Sequence, residues 1–291
     1  MTALAVSEGA LNGLLLGGLY AVTALGLSMV FNVARLVNLA HGELLILGAY
    51  ISFILSNTFG IDPLVSVIIS AVILFLIGYL LQTWLLNPLM DRGPEPLLLT
   101  ALGLSIIAQG LYMISWGGNT RVIASGYSQA SIELAGINVP LMYVISFGVS
   151  IALIGGIHVF MTNTFLGKAI RAVTQDHETA LTRGINVKSV YVLTCAIGAA
   201  TAALGGALIG MTFSFSPSGG LPWLLKGFVI VVLGGGGSYS RILAGGLILG
   251  TAEGLGAAIM GVGYRDLIGL IIFLMALVFK PSGLFGRSGL R

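Results

Sequence analysis

Side chains able to do chemistry inside an apolar protein fall in three places of this 291-residue chain. The first is Asn38-Leu39-Ala40-His41-Gly42-Glu43. Asn38 and His41 share a helical face at i, i+3, and Glu43 falls about two turns into an apolar run. The second is Glu253, within a glycine-rich run, with Lys226 opening the run before it and able to snorkel outward. An Asp, Lys or Arg at the centre of a membrane helix costs roughly 2.5–3.5 kcal/mol, so an ionisable group at such a place needs a reason. Either these groups bond neighbouring helices or they line a path for a polar solute. The internal bond is the simpler reading for Glu43, and Glu253 suits both. Asn38, His41, Glu43 and Glu253 are therefore the candidate path residues.

The third place is Thr162 to Lys188. It holds Lys168, Arg171, Asp176, Glu178, Arg183 and Lys188, six of the chain's 23 charged residues, together with His177. Leu166, Ala169, Ile170, Val173, Ala180 and Leu181 recur at steps of three, four and seven, which predicts a short helix or helix pair with one apolar stripe. Gly184, then Asn186, ends that helix. A solvated linker has no use for an apolar stripe, so the segment reads as one that docks.

Other chemistries lack their residues. No G-x-x-x-x-G-K-[ST] occurs, so the chain cradles no nucleotide phosphate by itself, and Gly234 to Gly237 with Ser238 has no lysine after it and reads as a helix break. Pro217-Ser218-Gly219 lacks the G-x-S-G of an intramembrane serine protease because Ser216 replaces its first glycine. The single Cys195 permits no internal disulfide and no cysteine-based metal cluster. A net charge of +3 is too small to suggest nucleic acid.

The elements that must position these groups are apolar. Residues are 57% hydrophobic and 8% charged, against about 25% charged in a typical soluble domain, so the chain is an all-α polytopic membrane protein forming one domain over 1–291. Spans of roughly 20 apolar residues fall near 9–31, 37–57, 63–86, 96–116, 140–161, 189–211, 224–236, 240–260 and 264–279. That is about nine, within eight to ten, the seventh short and broken between Pro222 and the glycine run. The start lacks a basic region and reads as mature chain. With the N-terminus outside, Arg35, Arg92, Lys168, Arg171, Arg183, Lys188, Arg241, Lys280, Arg287 and Arg291 lie inside, against Arg121, Lys226 and Arg265 outside. Loop 162–188 and the C-terminus are then cytoplasmic, and loop 117–139 lies outside. In that outer loop Ile132, Leu134, Ile137 and Val139 flank Ala135-Gly136, which predicts a β-hairpin, either a cap over helix ends or a platform for a partner. Gly13/Gly17, Gly206/Gly210 and Gly246/Gly250/Gly254 predict close helix crossings, within the chain or between chains.

Several ordered motifs resemble the permeases of branched-chain amino-acid ABC importers, most of all their shorter, H-type subunit. They are Tyr20, Ala24-Leu25-Gly26-Leu27, Phe31 and Asn38 to Glu43; Leu166 to Ala172, Gln175-Asp176 and Gly184-Ile185-Asn186; Leu225 to Phe228, Leu233 to Gly235, Gly237-Ser238, Gly245-Gly246, Gly250 and Glu253; and Pro281 with Gly283 to Gly286. The resemblance implies a type II importer fold in a bacterial inner membrane. It also implies a second permease or a second copy, two cytoplasmic ATPase subunits and a periplasmic binding protein, with ATP and Mg held by the ATPases and no cofactor by this chain. The family's docking pattern E-A-A-x-x-x-G reads Glu178-Thr179-Ala180-x-x-x-Gly184, with Thr179 departing from its first alanine. Lys168, Arg171, Gln175, Asp176, Glu178, Ala180, Arg183 and Gly184 are accordingly the expected ATPase-docking residues. Tyr239-Ser240-Arg241 departs where relatives tend to have a Pro-Gly turn. Relatives carry branched-chain or other neutral amino acids, and some carry urea or short amides. A passive urea-type channel would work with an inactive ATPase partner. An ion-coupled carrier would stop when the ion gradient is lost.

Overall fold

The computed structural model describes residues 3–34, 37–134, 136–235, 238–280 and 283–284, apart from the side chains of Ala3 and Asp91. Arg35, Ala135, Gly236, Gly237, Pro281, Phe285, Gly286, Arg287 and Arg291, each used in the sequence reading, lie outside the described residues. Twelve α-helices and one hairpin follow in order: α1 Ala3–Ala34, α2 His41–Asn57, α3 Pro63–Leu80, α4 Pro94–Trp116, α5 Gly126–Gln129, β1 Ser131–Leu134, β2 Ile137–Pro140, α6 Leu141–Asn163, α7 Phe165–Gln175, α8 His177–Thr182, α9 Val187–Thr212, α10 Gly220–Gly234, α11 Tyr239–Met260 and α12 Arg265–Phe279. Among the described residues, eight helical segments are long and apolar enough to cross a membrane. With its 17 residues α2 is the ninth, and just short. The expected polytopic helical architecture is thus what the chain adopts.

Lengths differ for a reason. The 32 residues of α1 reach about 48 Å at about 1.5 Å per residue. The 17 of α2 and 15 of α10 reach only about 26 and 22 Å, short of a hydrocarbon core of about 30 Å. The N-termini of these two short helices meet inside the protein. Gly42 packs so closely on the Gly220 carbonyl that a methyl group there would collide with it. Irregular backbone on either side of such ends is tolerated because protein, not lipid, surrounds it.

Glycine sets the tightest packing. Helices α1 and α11 run antiparallel in the most extensive helix pair of the chain. A Cβ on Gly9 would lie 2.7 Å from the Gly254 carbonyl, one on Gly13 2.5 Å from that of Gly250, and one on Gly17 2.6 Å from that of Gly246. The predicted ladders therefore cross each other within the chain. Gly206 meets the backbone of Leu45 instead. Helix α9 packs against α1, α2 and α3, its face from Ala196 to Met211 almost wholly buried.

Helix ends sort into two sets. At one end the Tyr127 hydroxyl donates to Asp62 Oδ2 at 2.9 Å, Asn12 Nδ2 to the Asn138 carbonyl at 3.0 Å, and Arg121 and Phe215 exchange backbone bonds at 2.8 Å. At the other, Asn87 Nδ2 donates to the Lys188 carbonyl at 3.4 Å and Leu284 N–H to the Leu233 carbonyl at 3.1 Å. Segment 117–140 is at the first end and 164–186 at the second. The predicted hairpin is present, with Ile132 opposite Val139, Leu134 opposite Ile137, and Gly136 at φ +81°. Strand β2 lies on the start of α1, while β1 is exposed throughout.

Candidate functional site

Glu253 is fully buried. Its Oε2 accepts from the Tyr20 hydroxyl at 2.7 Å and from Lys226 Nζ at 3.0 Å. Lys226 also donates to Tyr20 at 3.1 Å, pairs with Asp266 Oδ1 at 2.9 Å, and lies 4.7 Å above the Tyr20 ring. Lys226 reaches both ways, its ammonium bridging the exposed Asp266 and the buried Glu253. Glu253, 27 residues further along the chain, offers its ammonium a charged partner inside, and Tyr20 and Trp223 offer it aromatic faces. These groups line a cavity of about 590 Å³ walled by Phe213, Trp223, Val229, Leu249 and Leu270, with Arg265 and Asp266 at the start of α12. Glu253 has structural partners and a cavity at once.

The other expected path residues sit apart from it. Helix α2 begins at His41, which puts Glu43 in its first turn and not two turns in. Asn38 precedes the helix and shares no face with His41. Its Oδ1 accepts from Ala40 N–H at 3.0 Å, and its carbonyl accepts from His41 N–H at 3.0 Å, which is a local turn. His41 is buried, with Nε2 3.2 Å from the Thr23 carbonyl of α1. Glu43 Oε1 accepts from Ser105 Oγ at 3.4 Å, and its carbonyl accepts from Tyr112 Oη at 3.2 Å. Its carboxylate packs on Gly220, where the positive ends of α2 and α10 both favour an anion. This arrangement supports an internal role for Glu43.

In the 162–188 segment, α7 is strongly amphipathic, as the spacing predicts, but its stripe is not free. Ala169, Ile170, Val173 and Ala180 are buried among Met29, Val33, Met161, Val187 and Val190 of the same chain. The stripe holds the segment onto its own bundle, and only Phe165, Leu166 and Leu181 stay exposed among its large apolar side chains. Lys168, Arg171, Gln175, Asp176, Glu178, Arg183 and Gly184 are exposed; Ala180 is the buried anchor.

Both ends of α8 are fixed locally. Asp176 caps it, accepting the Thr179 N–H at 3.1 Å and hydroxyl at 2.7 Å, and these bonds hold its carboxyl below the usual range. Thr179, the departure from the family pattern, closes this cap. At the other end Gly184 N–H donates to the Leu181 carbonyl at 3.0 Å and Ile185 N–H to the Ala180 carbonyl at 3.1 Å, with Gly184 at φ +78°. This is a Schellman ending. Asn186, read from the sequence as part of the stop, instead caps α9 by accepting Ser189 N–H at 3.1 Å. Where Tyr239-Ser240-Arg241 replaces the expected turn, α11 simply starts at Tyr239. Among the described residues no group of His, Cys, Asp and Glu could hold a metal ion.

Eight helical segments able to cross a membrane, packed around a buried ion pair beside a cavity, make this a polytopic membrane protein. The family model described as "branched-chain amino acid transport system / permease component" matches residues 9–278, and the chain belongs to that family. It is 32% identical to the high-affinity branched-chain amino acid transport system permease protein BraD of Pseudomonas aeruginosa, covering 95% of this chain and 94% of that protein. It is 30% identical, at the same coverage, to LivH of Escherichia coli, which has the corresponding description. The solved structure of PsaBC from Streptococcus pneumoniae in complex with Fab is similar in fold, with a TM-score of 0.54 at 14% identity over 94% of this chain and 92% of that one. The chain is therefore a multi-pass permease component.

Proposed function

We propose that this chain is the H-type permease of an ABC importer for branched-chain or related neutral amino acids in a bacterial inner membrane. It works beside a second permease, or a second copy of itself, two cytoplasmic ATPase subunits that bind ATP and Mg, and a periplasmic binding protein. The N-terminus and loop 117–139 face the periplasm; the 162–188 segment and the C-terminus face the cytoplasm. The observation that carries this reading is α8, a two-turn helix fixed at both ends and anchored to the bundle, with Glu178, Leu181 and Arg183 turned outward. Motion of an ATPase against that face would reach α7, α9 and the rest of the bundle without slack. A channel has no use for such a joint. The relatives' names supply the amino-acid substrate, and their membership of transport systems supplies the need for partners.

Cysteine labelling tests the sidedness and the docking together. Cys195 is buried and should give little background. In intact spheroplasts an impermeant maleimide should label Gln129→Cys and leave Gln175→Cys untouched. In inverted vesicles Gln175→Cys should label readily, and added ATPase subunits should protect it. Labelling of Gln175→Cys from the outer side would overturn the orientation, and labelling unchanged by the ATPase would overturn the docking role.

A further inference from the structure

Helix α7 touches one end of three spanning helices at once. Its buried residues Ala169, Ile170 and Val173 pack with Met29 and Val33 near the end of α1, Met161 near the end of α6, and Val187 and Val190 at the start of α9. An 11-residue helix of about 16 Å that does this crosses the end of the bundle and does not extend it. The corner before it has no slack. Thr164 Oγ1 donates to the Phe160 carbonyl at 2.7 Å and accepts from Gly167 N–H at 3.0 Å. Gly167 packs so closely on Phe160 and Met161 that a methyl group there would collide with their backbone. The 23 residues of α6 reach about 34 Å against a hydrocarbon core of about 30 Å, so that corner falls at the membrane boundary. Trp84, 74% exposed on the segment that continues α3, marks the boundary at the same end of another span, three residues before the Asn87 that bonds to Lys188.

The apolar stripe of α7 runs past the protein that covers it. Leu166 shares the stripe with Ile170 and Val173 at steps of four and seven, yet it is 50% exposed, and Phe165 beside it is 81% exposed. The charges of α7 are of one sign. Lys168 and Arg171 are exposed and the helix has no Asp or Glu, whereas α8 opens with Asp176 and Glu178. An amphipathic helix at the membrane boundary, with bulky apolar side chains uncovered and basic ones on its polar face, is built to lie in a leaflet. We infer that α7 is an interfacial anchor: Phe165 and Leu166 insert into the leaflet at that end, and Lys168 and Arg171 sit among anionic phospholipid headgroups. The 162–188 segment is thereby divided, with α7 held by the membrane and α8 left free for a soluble partner. This needs only that the long helices span a membrane and does not rest on the docking of an ATPase to α8.

The test places a nitroxide at Phe165→Cys, Leu166→Cys or Gln175→Cys, in the permease alone and in its complex with the ATPase subunits, in nanodiscs containing phosphatidylglycerol. Power-saturation EPR compares collisions with oxygen, which concentrates in lipid, and with a polar nickel chelate, which stays in water. At 165 and 166 oxygen should dominate, at a depth just inside the phosphates, with and without the ATPase. At 175 the nickel chelate should dominate in the permease alone. Replacing phosphatidylglycerol by phosphatidylcholine should raise the nickel accessibility at 165 several-fold, and so should Lys168→Gln/Arg171→Gln. Nickel-dominated accessibility at 165 and 166 in the permease alone would overturn the anchor. Labels at these sites that become shielded from both reagents only when the ATPase binds would give the surface to the ATPase and overturn it equally. An unchanged depth in phosphatidylcholine or in the double variant would overturn the assignment to anionic headgroups.

Discussion

Gly13→Val should remove nearly all folded protein from the membrane, while Gly148→Val, in an equally apolar helix, should accumulate like the wild type. At Gly13 the first added carbon would already lie 2.5 Å from the Gly250 carbonyl and 3.0 Å from the Cα atoms of Thr251 and Gly254. Around Gly148 nothing lies within 4 Å. Intrinsic helix preference does not separate the two positions, since valine replaces glycine in a helix interior in both. What differs is the neighbour. In lipid, helices associate through close packing and not through hydrophobicity, so forcing α1 and α11 apart forfeits the contacts of every rung from Gly9 to Gly17. A single overpacked core position costs about 1–3 kcal/mol, and here backbone meets backbone, with no flexible side chain to give way. Quantitative immunoblots of membranes, with size-exclusion profiles in mild detergent, check this. Equal accumulation of both variants would mean that the ladder contributes little.

The second large effect is expected at the ion cluster. Lys226→Met leaves Glu253, fully buried, with only the Tyr20 hydroxyl. Breaking a buried pair by removing one partner costs about 3–5 kcal/mol, whereas removing both can be nearly neutral. The thermal midpoint in detergent should therefore fall sharply in Lys226→Met and recover in Lys226→Met/Glu253→Gln, a non-additivity that a double-mutant cycle reads directly. Lys226→Arg is no gentle control, because a guanidinium does not fit three partners as an ammonium does. The recovered double variant should still transport poorly, since it lacks the charge that the cavity presents. Additive losses in the cycle would place Lys226 and Glu253 in separate roles.

Much of this architecture is legible in the chain. Runs of apolar residues mark the helices because lipid demands them, Ala135-Gly136 marks the hairpin, and the charged segment stands out against its surroundings. Periodicity shows that Ala169, Ile170, Val173 and Ala180 share a face, but not what that face meets. A partner's groove and the chain's own α1 and α9 call for the same pattern. The bond from Lys226 to Glu253 is likewise silent, because a long side chain reaches water or Glu253 equally well and only the packing of α10 against α11 decides. Hydropathy also misplaces the start of α2. Asn38, His41 and Glu43 look like polar interruptions of a span, whereas Asn38 makes the turn before it and the other two open it. The resemblance points to Glu178, Ala180 and Gly184, but it does not foresee that Thr179, the mismatch, completes the Asp176 cap. Neither does it point to Gly269, which lies against Glu253 only because of how α12 packs on α11.

Gly184 tests most directly the claim that α8 joins this permease to its motor. At φ +78° it sits where a side chain costs roughly 1–2 kcal/mol, and more when β-branched, although no atom lies within 4 Å of a Cβ placed there. Substitution therefore does not clash; it loosens the ending that sets the direction of α8. Asparagine tolerates that conformation and valine does not. The measurement is ATP hydrolysis by the reconstituted complex, with and without binding protein and leucine, alongside leucine uptake. Gly184→Asn should keep most of the stimulation. Gly184→Val should assemble in the membrane and bind the external protein, yet lose stimulated hydrolysis and uptake together. Wild-type stimulation and uptake in Gly184→Val would contradict the account and reduce the 162–188 segment to a linker.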